Sequence, residues 1–314
     1  MGGVVFVYDD EYKKMDFGAG HPMRGDRYEK AMNEFRNMGL VEKLEITRPK
    51  DPDDKMPELF HTPEYAAKVK KVSEKGKGSF GDEVPNFRGV YDAAMISLAG
   101  TITAAGAISG QNSADIAVNI CGGWHHAFRD KGRGFCVFND IAAAANYLRK
   151  EKNTVKIMAL DYDAHHGDGT QKAFYSDPGV YTVSLHQDPF TLYPFFTGYK
   201  NEKGDGPGEG FNMNFPLPLG SGDYEFMREF DKVPEIIKNY KPSVLILQMG
   251  VDGSKECMVA GMGLTQKSYD YASKAIVRLS RKMGFKILAL GGGGFVHPML
   301  GRNWGTQIKN FLEQ

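Results

Sequence analysis

The sequence predicts an α/β fold in which a largely parallel β-sheet is covered by helices on both faces. Apolar stretches of strand length alternate with helical stretches along most of the chain, and this alternation is typical of parallel sheets. The later strand candidates are continuous apolar runs, such as VLILQM at residues 244–249, as expected for strands buried on both faces. We find no repeat, linker or low-complexity tail, and therefore predict a single domain over residues 1–314.

Six apolar stretches are predicted to be strands because they have strand length and end at polar or glycine residues. They cover residues 4–8, 116–121, 155–160, 179–186, 244–249 and 286–290. In a parallel sheet the carboxyl ends of all strands lie at one edge, where ligands bind in open α/β sheets. We therefore expect the residues that follow these strands to converge on one site.

Helical periodicity and end signals predict the helices between these strands. They cover residues 24–38, 63–73, 91–109, 223–239, 267–283 and 302–312, with an alanine-rich helix that ends near residue 150. Thr62 as N-cap and Pro63 in the first helical position mark one clear start. Residues 75–90 form a long loop without periodicity, and residues 187–212 are aromatic and then glycine-rich, which we interpret as the wall and rim of a pocket.

The composition is that of an ordinary globular protein and argues against several functions. Formal net charge is zero, with 39 basic and 39 acidic residues, so bulk charge does not favour binding to nucleic acid. We see no apolar run of about 18 residues and no signal-type N-terminus, and expect neither a membrane span nor secretion. Three scattered cysteines fit a reducing cytoplasm better than a disulfide framework. The oligomeric state is left open, and an oligomer that walls a channel is one possibility.

The stretch that organises the chain is VKIMALDYDAHHGDGTQ at residues 155–171, where an apolar strand ends in clustered acids and imidazoles. Alternate residues of an extended segment share a face, so Asp163 and His165 can point to the same place. A carboxylate and an imidazole supply two of the three protein ligands of a catalytic zinc site. Burial of such a cluster without a function would be costly. Gly167 and Gly169 are expected to permit the sharp turn that follows.

Asp252, which follows the strand at residues 244–249, is the natural third metal ligand. Taken alone, an aspartate after a strand is more often a turn residue or helix cap, but here it completes a ligand count. Two aspartates and one histidine form an oxygen-rich site that suits Zn²⁺, and Fe²⁺ is a second candidate.

The adjacent histidines His125 and His126 are predicted to transfer protons rather than to bind the metal. Two more ligands would remove the open position that a catalytic metal needs. Each imidazole requires a partner on its far nitrogen, and Asp161 and Asp168 are the spare acids. One histidine would then act as a base while the other stays charged and orients water; which is which stays open.

These residues resemble the zinc-dependent histone deacetylase superfamily, which includes acetoin-utilisation-type proteins and acetylpolyamine amidohydrolases. The resemblance runs from His21-Pro22-x-Arg24 to Trp304, and four strings carry it: GGWHHA (122–127), GFCVFND (134–140), DYDAHHGDGTQ (161–171) and GGGGF (291–295). The stretch that begins HQDPFTLYPFFTGY at residue 186 is similar to the acetylpolyamine amidohydrolase branch in particular.

The resemblance implies an arginase-like α/β fold with an eight-stranded parallel sheet, and a zinc ion bound by Asp163, His165 and Asp252. His125 and His126 match the tandem catalytic histidines of the family. Their expected partners are Asp161 and Asp168. A structural monovalent cation, usually potassium, is expected beside the zinc, held by groups of Asp161, Asp163, His165, Ser184 and Leu185.

The resemblance also implies a narrow channel for an acyl-lysine-like chain. Its expected lining residues are Gly134, Phe135, Tyr193, Phe195 and Phe196. Asp82 and Glu83 fall near the acid that contacts substrate at the channel rim in the family. Further acids in the later loop, at residues 202, 205 and 209, would favour a cationic substrate such as a polyamine, although the same loop also carries lysines.

Two positions depart from the family pattern. Cys257-Met258 stands where the family usually has Asp-Pro, a local change that should leave the metal site intact. Phe295 stands where the family has a tyrosine whose hydroxyl donates to the developing oxyanion. Loss of one such donor typically costs about 10²–10³ in rate. Phe295 is either a native variation or an inactivating substitution.

The sequence thus predicts a zinc-dependent hydrolase that removes an acetyl group from an N-acetylated primary amine such as an acetylpolyamine. One alternative is a protein acetyl-lysine deacetylase, which shares the channel chemistry and differs at the rim. A second alternative is a catalytically impaired protein that binds acyl-amines without turnover, and Phe295 favours this interpretation.

Overall fold

Parallel strands form the centre of the computed structural model, which describes residues 3–110, 113–295 and 299–313. Within these ranges the strands are β1 (Val4–Val7), β2 (Glu45–Thr47), β3 (Gly81–Asp82), β4 (Ile116–Asn119), β5 (Gly132–Arg133), β6 (Ile157–Asp161), β7 (Val180–Gln187), β8 (Asn212–Leu217), β9 (Val244–Gln248) and β10 (Lys286–Leu290). Eight of them form one sheet in the order β2-β1-β4-β10-β9-β6-β7-β8, and all neighbours are parallel. The two short strands β3 and β5 pair separately. The predicted α/β fold with an eight-stranded parallel sheet is confirmed.

Helices cover the sheet and agree with most of the predicted bounds. In the described residues they are α1 (Asp26–Asn37), α2 (Pro63–Lys75), α3 (Val90–Ala107), α4 (Asp140–Lys152), α5 (Asp168–Phe174), α6 (Asp223–Phe230), α7 (Val233–Tyr240), α8 (Gln266–Met283) and α9 (Leu300–Glu313). Helix α3 packs against α4, whereas α9 packs against α1 and α8. Every residue of the central strands β6 and β9 is buried, so both faces of the sheet are covered. That all 314 residues form one domain stays a prediction.

Several elements, among them β2, β8 and α5, were missed because their sequences lack the pattern of a buried element. Strand β2 is a three-residue edge strand with two exposed positions. Strand β8, at the opposite edge, contains Asn212, Asn214 and Pro216 in place of an apolar run. Edge strands tolerate such residues because one side of their backbone makes no ladder hydrogen bonds. Helix α5 spans only seven residues and begins inside the acid- and histidine-rich cluster.

The helix predicted over residues 223–239 is wrong, because the structure contains two helices there. Helix α6 ends at Phe230, and α7 begins at Val233 with Pro234 in its first turn. A proline has no N–H to donate and its ring clashes with the carbonyl group four residues earlier. The chain therefore breaks between the two helices. By contrast, the predicted start of α2 is confirmed, since the Thr62 hydroxyl accepts a hydrogen bond of 3.2 Å from the Tyr65 amide.

Helix α3 is long and apolar enough, by length and composition alone, to cross a membrane. Its 18 residues have a mean hydropathy of 1.2, so the prediction that the chain contains no apolar run of about this length is wrong. Small residues let it pack closely, and 72% of the helix is buried inside the protein. The core helix of a globular domain meets the same criterion, so α3 is explained by its packing against β1 and β4.

A buried histidine, His61, links the starts of α2 and α4. Its Nε2 accepts a hydrogen bond of 2.8 Å from the Asn139 amide, and its Nδ1 donates to the Arg129 carbonyl at 3.2 Å. This bonding requires the neutral ring. Burial lowers the pKa of His61 to about 3. The Asn139 side chain in turn donates to the carbonyl groups of His125 and Ala127, so His61 supports the loop that carries the paired histidines.

We expect His61 to make the fold sensitive to mild acid. The folded-state pKa lies below the unfolded value of 6.5, so the stabilisation is complete above pH 6.5 and is lost as the pH falls toward 3. Between pH 7 and pH 5 the loss is about 2 kcal/mol. The variant His61→Gln can make the same two hydrogen bonds without titrating. Urea unfolding at both pH values should show a smaller acid loss for the variant, and equal losses in the two proteins would contradict this role.

Candidate active site

A cavity of about 550 Å³ opens at the carboxyl ends of four adjacent strands. These strands are β4, β10, β9 and β6, which lie next to one another in the sheet. The residues that follow them enter the cavity wall: His125 and His126 after β4, Gly293 after β10, Asp252 after β9, and Asp163 and His165 after β6. The convergence expected from a parallel sheet is therefore observed.

Asp163, His165 and Asp252 form a compact group at the floor of the cavity. His165 Nδ1 lies 2.7 Å from Asp252 Oδ2 and 3.2 Å from Asp163 Oδ1. One ligand atom from each residue lies within 4.8 Å of the other two. Both carboxylates are fully buried, and burial together with the charge of Asp163 raises the pKa of Asp252. Two buried like charges beside an imidazole suit a divalent cation, and the donor set fits zinc or iron.

Hydrogen bonds orient both carboxylates toward this common point. Asp163 Oδ2 accepts from the Gln248 side chain at 2.7 Å and from the Gly293 amide at 2.8 Å. Asp252 Oδ1 accepts from the Ala164 amide at 2.8 Å. The second oxygen of each carboxylate is thus left for His165 and for a cation. Partners of this kind fix the geometry of metal ligands, and Gln248 was missed because it looks like an ordinary strand residue.

The two histidines form the two carboxylate pairs expected from the sequence. His125 Nδ1 donates to Asp161 Oδ2, and His126 Nδ1 donates to Asp168 Oδ1, each at 2.7 Å. All four side chains are buried. The two rings lie 4.0 Å apart between centroids, and both histidines line the cavity. With Nδ1 engaged, the Nε2 atom of each ring is the one that is left for proton transfer.

The pKa values of the two imidazoles are shifted in opposite directions. Burial disfavours the charged form of His125, but the charges of Asp161 and Asp163 outweigh it and raise its pKa to about 9. Burial and the neighbouring charge of His125 lower the pKa of His126 to about 4. These shifts favour a neutral ring at His126 and a charged ring at His125. A cation at Asp163 would weaken that carboxylate's effect and lower the pKa of His125.

Arg133, which the sequence analysis did not single out, holds the partner of His126. Its Nε donates to Asp168 Oδ2 at 3.1 Å. Burial opposes ionisation of Asp168, but the hydrogen bond and charge of His126 and the charge of Arg133 outweigh it and lower the pKa of Asp168. Asp168 thus stays anionic, and it is held between the Nδ1–H group of His126 and the guanidinium group of Arg133. The available signal was a basic residue directly before the GFCVFND string.

Glycines make room for this arrangement. A Cβ at Gly167 would lie 2.6 Å from Asp161 Oδ2, and one at Gly169 would lie 2.6 Å from the carbonyl oxygens of His125 and Ala127. Neither glycine has a positive φ. That they permit a sharp turn stays a prediction, and the close approach of the chain to the His125–Asp161 pair is a second reason for glycine at these positions.

Aromatic rings form the walls of the cavity. Of the predicted lining residues, Gly134, Phe135, Tyr193 and Phe195 line it, whereas Phe196 lies outside. Tyr193 packs edge-on against His126 with 5.0 Å between centroids. A Cβ at Gly134, whose φ is +48°, would lie 2.6 Å from both His126 and Tyr193. A side chain at this position would therefore obstruct the approach to His126.

Phe295 forms part of the same wall, and Arg27 packs against its ring. Its ring meets Phe135 edge-to-face at 5.7 Å. The guanidinium group of Arg27 lies 5.2 Å from the Phe295 ring and 4.8 Å from the Trp304 ring. Arg27 also donates to the Gly292 carbonyl at 2.8 Å. Cys257, at the other position that departs from the family pattern, donates from Sγ to the Phe295 carbonyl at 3.5 Å. The ring is thus positioned as a wall residue without a hydroxyl group.

The two candidate rim acids occupy different places. Glu83 lines the cavity. Asp82 pairs with Lys131 and lies 3.9 Å from Arg133, so its prediction as a substrate contact is not supported. Two of the later acids are also engaged elsewhere. Glu202 accepts hydrogen bonds from the amides of Gly198 and Tyr199, and Asp205 accepts one from the Ser176 hydroxyl group. Of the two candidate rim acids, Glu83 is thus the one that lines the cavity.

The groups expected to hold a monovalent cation are brought together behind the cavity. Asp161 pairs with Ser184 in the register between β6 and β7, and Leu185 follows on the same strand. Ser184 Oγ lies 2.8 Å from His186 Nδ1. The position of these residues agrees with the expectation, and the ion itself stays a prediction.

Further residues of the cavity wall were not singled out by the sequence analysis. They are His21, Val84, Pro85, Gly123, Trp124, Cys136, Val259 and Gly292. His21 carried a signal, since it opens the HP-x-R string. The Met23 amide donates to its Nδ1 at 2.9 Å, and its ring packs 4.5 Å from Phe135. The apolar members lie in loops, where no periodicity indicates which side chains face the cavity.

The eight-stranded parallel sheet, with clustered polar residues at its strand ends, has an arginase- or deacetylase-like architecture. Comparison with known proteins defines the family. The model of the histone deacetylase domain matches residues 21–311. The acetoin utilization protein AcuC of Bacillus subtilis (strain 168) is 33% identical over 313 residues, with 96% of this chain and 80% of AcuC covered. This chain belongs to the histone deacetylase family.

Solved structures agree with this assignment. The crystal structure of a histone deacetylase homologue from Aquifex aeolicus superposes with a TM-score of 0.88 at 29% sequence identity, and the match covers 99% of this chain and 84% of that one. A histone deacetylase homologue in complex with SAHA matches with a TM-score of 0.89, the same identity and the same coverage. The predicted relationship to the histone deacetylase superfamily is confirmed.

The group of Asp163, His165 and Asp252 leads to a prediction about metal binding. We expect Asp252→Asn to lose most of its bound zinc, because the substitution removes one charge from a three-residue ligand set. His126→Ala should keep about one zinc per chain, because His126 is assigned to proton transfer. Metal analysis of both variants after dialysis against dilute zinc checks this, with the unchanged protein as reference. Zinc loss from His126→Ala would contradict the assignment of His126.

Proposed function

We propose that the protein is a metal-dependent amide hydrolase that removes the acetyl group from an N-acetylated primary amine. One observation carries this proposal: the group of Asp163, His165 and Asp252 shares a single aromatic-walled cavity with two carboxylate-paired histidines. Membership of the histone deacetylase family supports the reaction type. So does the match to a homologue that binds SAHA. Zinc is the proposed metal, with ferrous iron as the alternative and potassium as a structural ion.

Zinc, held by the three ligands, would supply Lewis-acid catalysis by polarising the amide carbonyl and acidifying a water molecule. The protein's own groups then move the protons. Neutral His126 accepts the proton of the attacking water at Nε2, while Asp168 holds its Nδ1–H and stabilises the positive charge that forms. His125, whose pairing with Asp161 favours its charged form, orients the water and supplies a proton to the departing amine. The walls of Phe135 and Tyr193 align the chain that carries the amide.

Phe295 removes one hydrogen-bond donor from this scheme. The ring fills its place in the wall, but it has no hydroxyl group to stabilise the oxyanion. We propose that the activity is reduced for this reason rather than absent, because the metal ligands and both histidine pairs are complete. The competing hypothesis, a protein that binds acyl-amines without turnover, is favoured by Phe295 alone.

The proposed substrate is a small acetylated amine, with acetylpolyamines as the leading class. The similarity of residues 186–218 to acetylpolyamine amidohydrolases supports this choice, as does Glu83 at the cavity. An acetyl-lysine side chain of a protein is the alternative, since it presents the same atoms to the channel. A cytoplasmic location is also proposed, and three free, buried cysteines support it. We propose neither a nucleic-acid nor a membrane partner, and an oligomer is left open.

The proposed role of residue 295 predicts a gain of function. We expect Phe295→Tyr to raise kcat for acetate release by about 10²–10³, because it restores one oxyanion donor. The assay uses zinc-loaded protein with N-acetylputrescine and with an acetyl-lysine peptide, and the faster substrate identifies the branch. The double variant Phe295→Tyr with His126→Ala serves as the inactive control.

Two results would contradict the proposed hydrolase. If the unchanged protein and the Phe295→Tyr variant both bind the acetylated compounds but release no acetate, the binding-protein hypothesis is supported instead. If the double variant lacking His126 is as active as Phe295→Tyr, the observed hydrolysis does not come from this site.

A further inference from the structure

Asp140 holds the backbone that leads into the paired histidines, although it does not itself line the cavity. It is the first residue of α4 and is only 1% exposed. The Trp124 amide donates to Asp140 Oδ1 at 2.8 Å, and the Gly123 amide donates to Oδ2 at 3.0 Å. The carboxylate therefore fixes the two peptide groups directly before His125.

A hydroxyl group on α3 adds a third hydrogen bond to this carboxylate. Thr101 Oγ1 donates to Asp140 Oδ2 at 2.5 Å. The direction of this bond follows from Asn119, because its side-chain amide donates to the same Thr101 oxygen at 2.9 Å. The hydroxyl proton is thereby left for Asp140. Asp140 thus meets three donors, and a carboxylate can accept from all of them with its two oxygens.

Burial makes a negative charge at this position costly. It raises the pKa of Asp140, and the three hydrogen bonds act in the opposite direction. Hydrogen bonds to an ionised acceptor are roughly twice as strong as those between neutral groups, and the start of a helix favours a negative charge. A carboxylate at the first position of α4 is therefore well suited to hold the two amides firmly.

The residue before Asp140 holds the other end of the same loop. The Asn139 side-chain amide donates to the carbonyl groups of His125 and Ala127, at 3.3 and 3.2 Å. Asp140 thus accepts from amides at the beginning of the loop, while Asn139 donates to carbonyl groups at its end. Two adjacent side chains at the start of α4 bind residues 123–127, the segment that carries both histidines.

The turn after β10 closes the opposite side of this loop. The Gly292 amide donates to the Gly122 carbonyl at 2.8 Å. A Cβ at Gly123, whose φ is +95°, would lie 2.6 Å from the Gly292 nitrogen, and one at Gly122 would lie 2.6 Å from Asp140 Oδ2. The loop is packed tightly between α4 and this turn. Without the carboxylate, two amides would lose their acceptor, and the loop would have to shift to satisfy them.

We propose that Asp140 is a positioning residue of the active site, which sets the place of His125 and His126 relative to the group of Asp163, His165 and Asp252. Its effect on rate rests on the proposed deacetylase function, whereas the displacement of the histidines in its absence does not. Proton transfer requires the imidazole nitrogen within hydrogen-bond distance of the group it serves. A misplacement of about 1 Å can cost about 10² in rate.

Replacement of the carboxylate tests this role in the Phe295→Tyr form, assayed by acetate release from N-acetylputrescine and an acetyl-lysine peptide. We expect Asp140→Ala to lower kcat by about 10–10². KM should stay within about twofold and zinc near one per chain, because the cavity wall and the metal ligands are unchanged. Asp140→Asn should restore most of kcat, since its Oδ1 can accept from both amides and its Nδ2 can donate to the Thr101 oxygen.

Asp223→Ala is the matched control. Asp223 is the first residue of α6, and it also accepts from an amide and from hydroxyl groups, those of Thr265 and Ser268. It does not touch residues 122–127. Asp223→Ala should therefore lower the free energy of unfolding, measured with urea, while leaving kcat unchanged.

Proton NMR gives a readout that does not depend on turnover. The Nδ1–H groups of His125 and His126 donate to buried carboxylates at 2.7 Å, and protons in such short bonds resonate downfield of the backbone amides. His126→Ala identifies the signal of His126. We expect both signals to shift or broaden in Asp140→Ala, and to stay in place in Asp140→Asn and Asp223→Ala.

Unchanged kcat in Asp140→Ala, or downfield signals that match those of the unchanged protein, would overturn the proposal, as would an equal loss of kcat in Asp223→Ala. If Asp140→Ala does not fold, Thr101→Val decides, because it removes one donor to the carboxylate and keeps the side-chain shape. A loss in kcat of about threefold to tenfold at constant KM supports the proposal, and no change contradicts it. If no form of the protein releases acetate, the proposed function fails, and the downfield signals alone decide the role of Asp140.

Discussion

Two buried carboxylates that face one another, Asp163 and Asp252, set the constraint on which the rest of the site depends. Like charges in a buried environment repel strongly unless a cation lies between them. The protein contributes one imidazole, that of His165, at 2.7 Å from Asp252. It then fixes the remaining oxygens with Gln248, Gly293 and Ala164, so that neither carboxylate can turn away. A preorganised negative pocket at the floor of an apolar cavity is a structure that a divalent metal stabilises.

The sequence predicted this floor because a parallel sheet brings strand ends together. Asp163, His165 and Asp252 follow clearly apolar strand sequences. The parallel pairing of these strands then brings their carboxyl ends to the same edge of the sheet. The edge strands β2 and β8 were missed because exposure on one side removes the apolar run on which the prediction depends. Arg133 and Gln248 were missed for a different reason. Their function lies in a hydrogen bond to another side chain, Asp168 or Asp163, and no spacing rule in the sequence encodes that contact.

The histidine pairs show how two adjacent residues of the same type can differ in acid–base behaviour. His125 and His126 are adjacent and each has an aspartate partner at 2.7 Å, yet their pKa values move in opposite directions. Asp163 stands near His125 and favours its charged form, and that charge then disfavours a second one on His126. Arg133 adds to the asymmetry because it shares Asp168 with His126. The sequence suggests a division of labour between the histidines, and the opposite pKa shifts support the proposed assignment of His126 as the base.

The floor and the mouth of the cavity are expected to contact different parts of the substrate. In the proposed function the floor recognises an acyl-amide, which is the same whether the amine belongs to a polyamine or to lysine. Discrimination must therefore come from the mouth, where Glu83 and the rings of Phe195 and Phe196 lie. The loop acids at residues 202 and 205, which suggested a cationic substrate, are bound to the loop itself. With those charges occupied, Glu83 and Phe195 are the predicted rim residues that remain at the cavity.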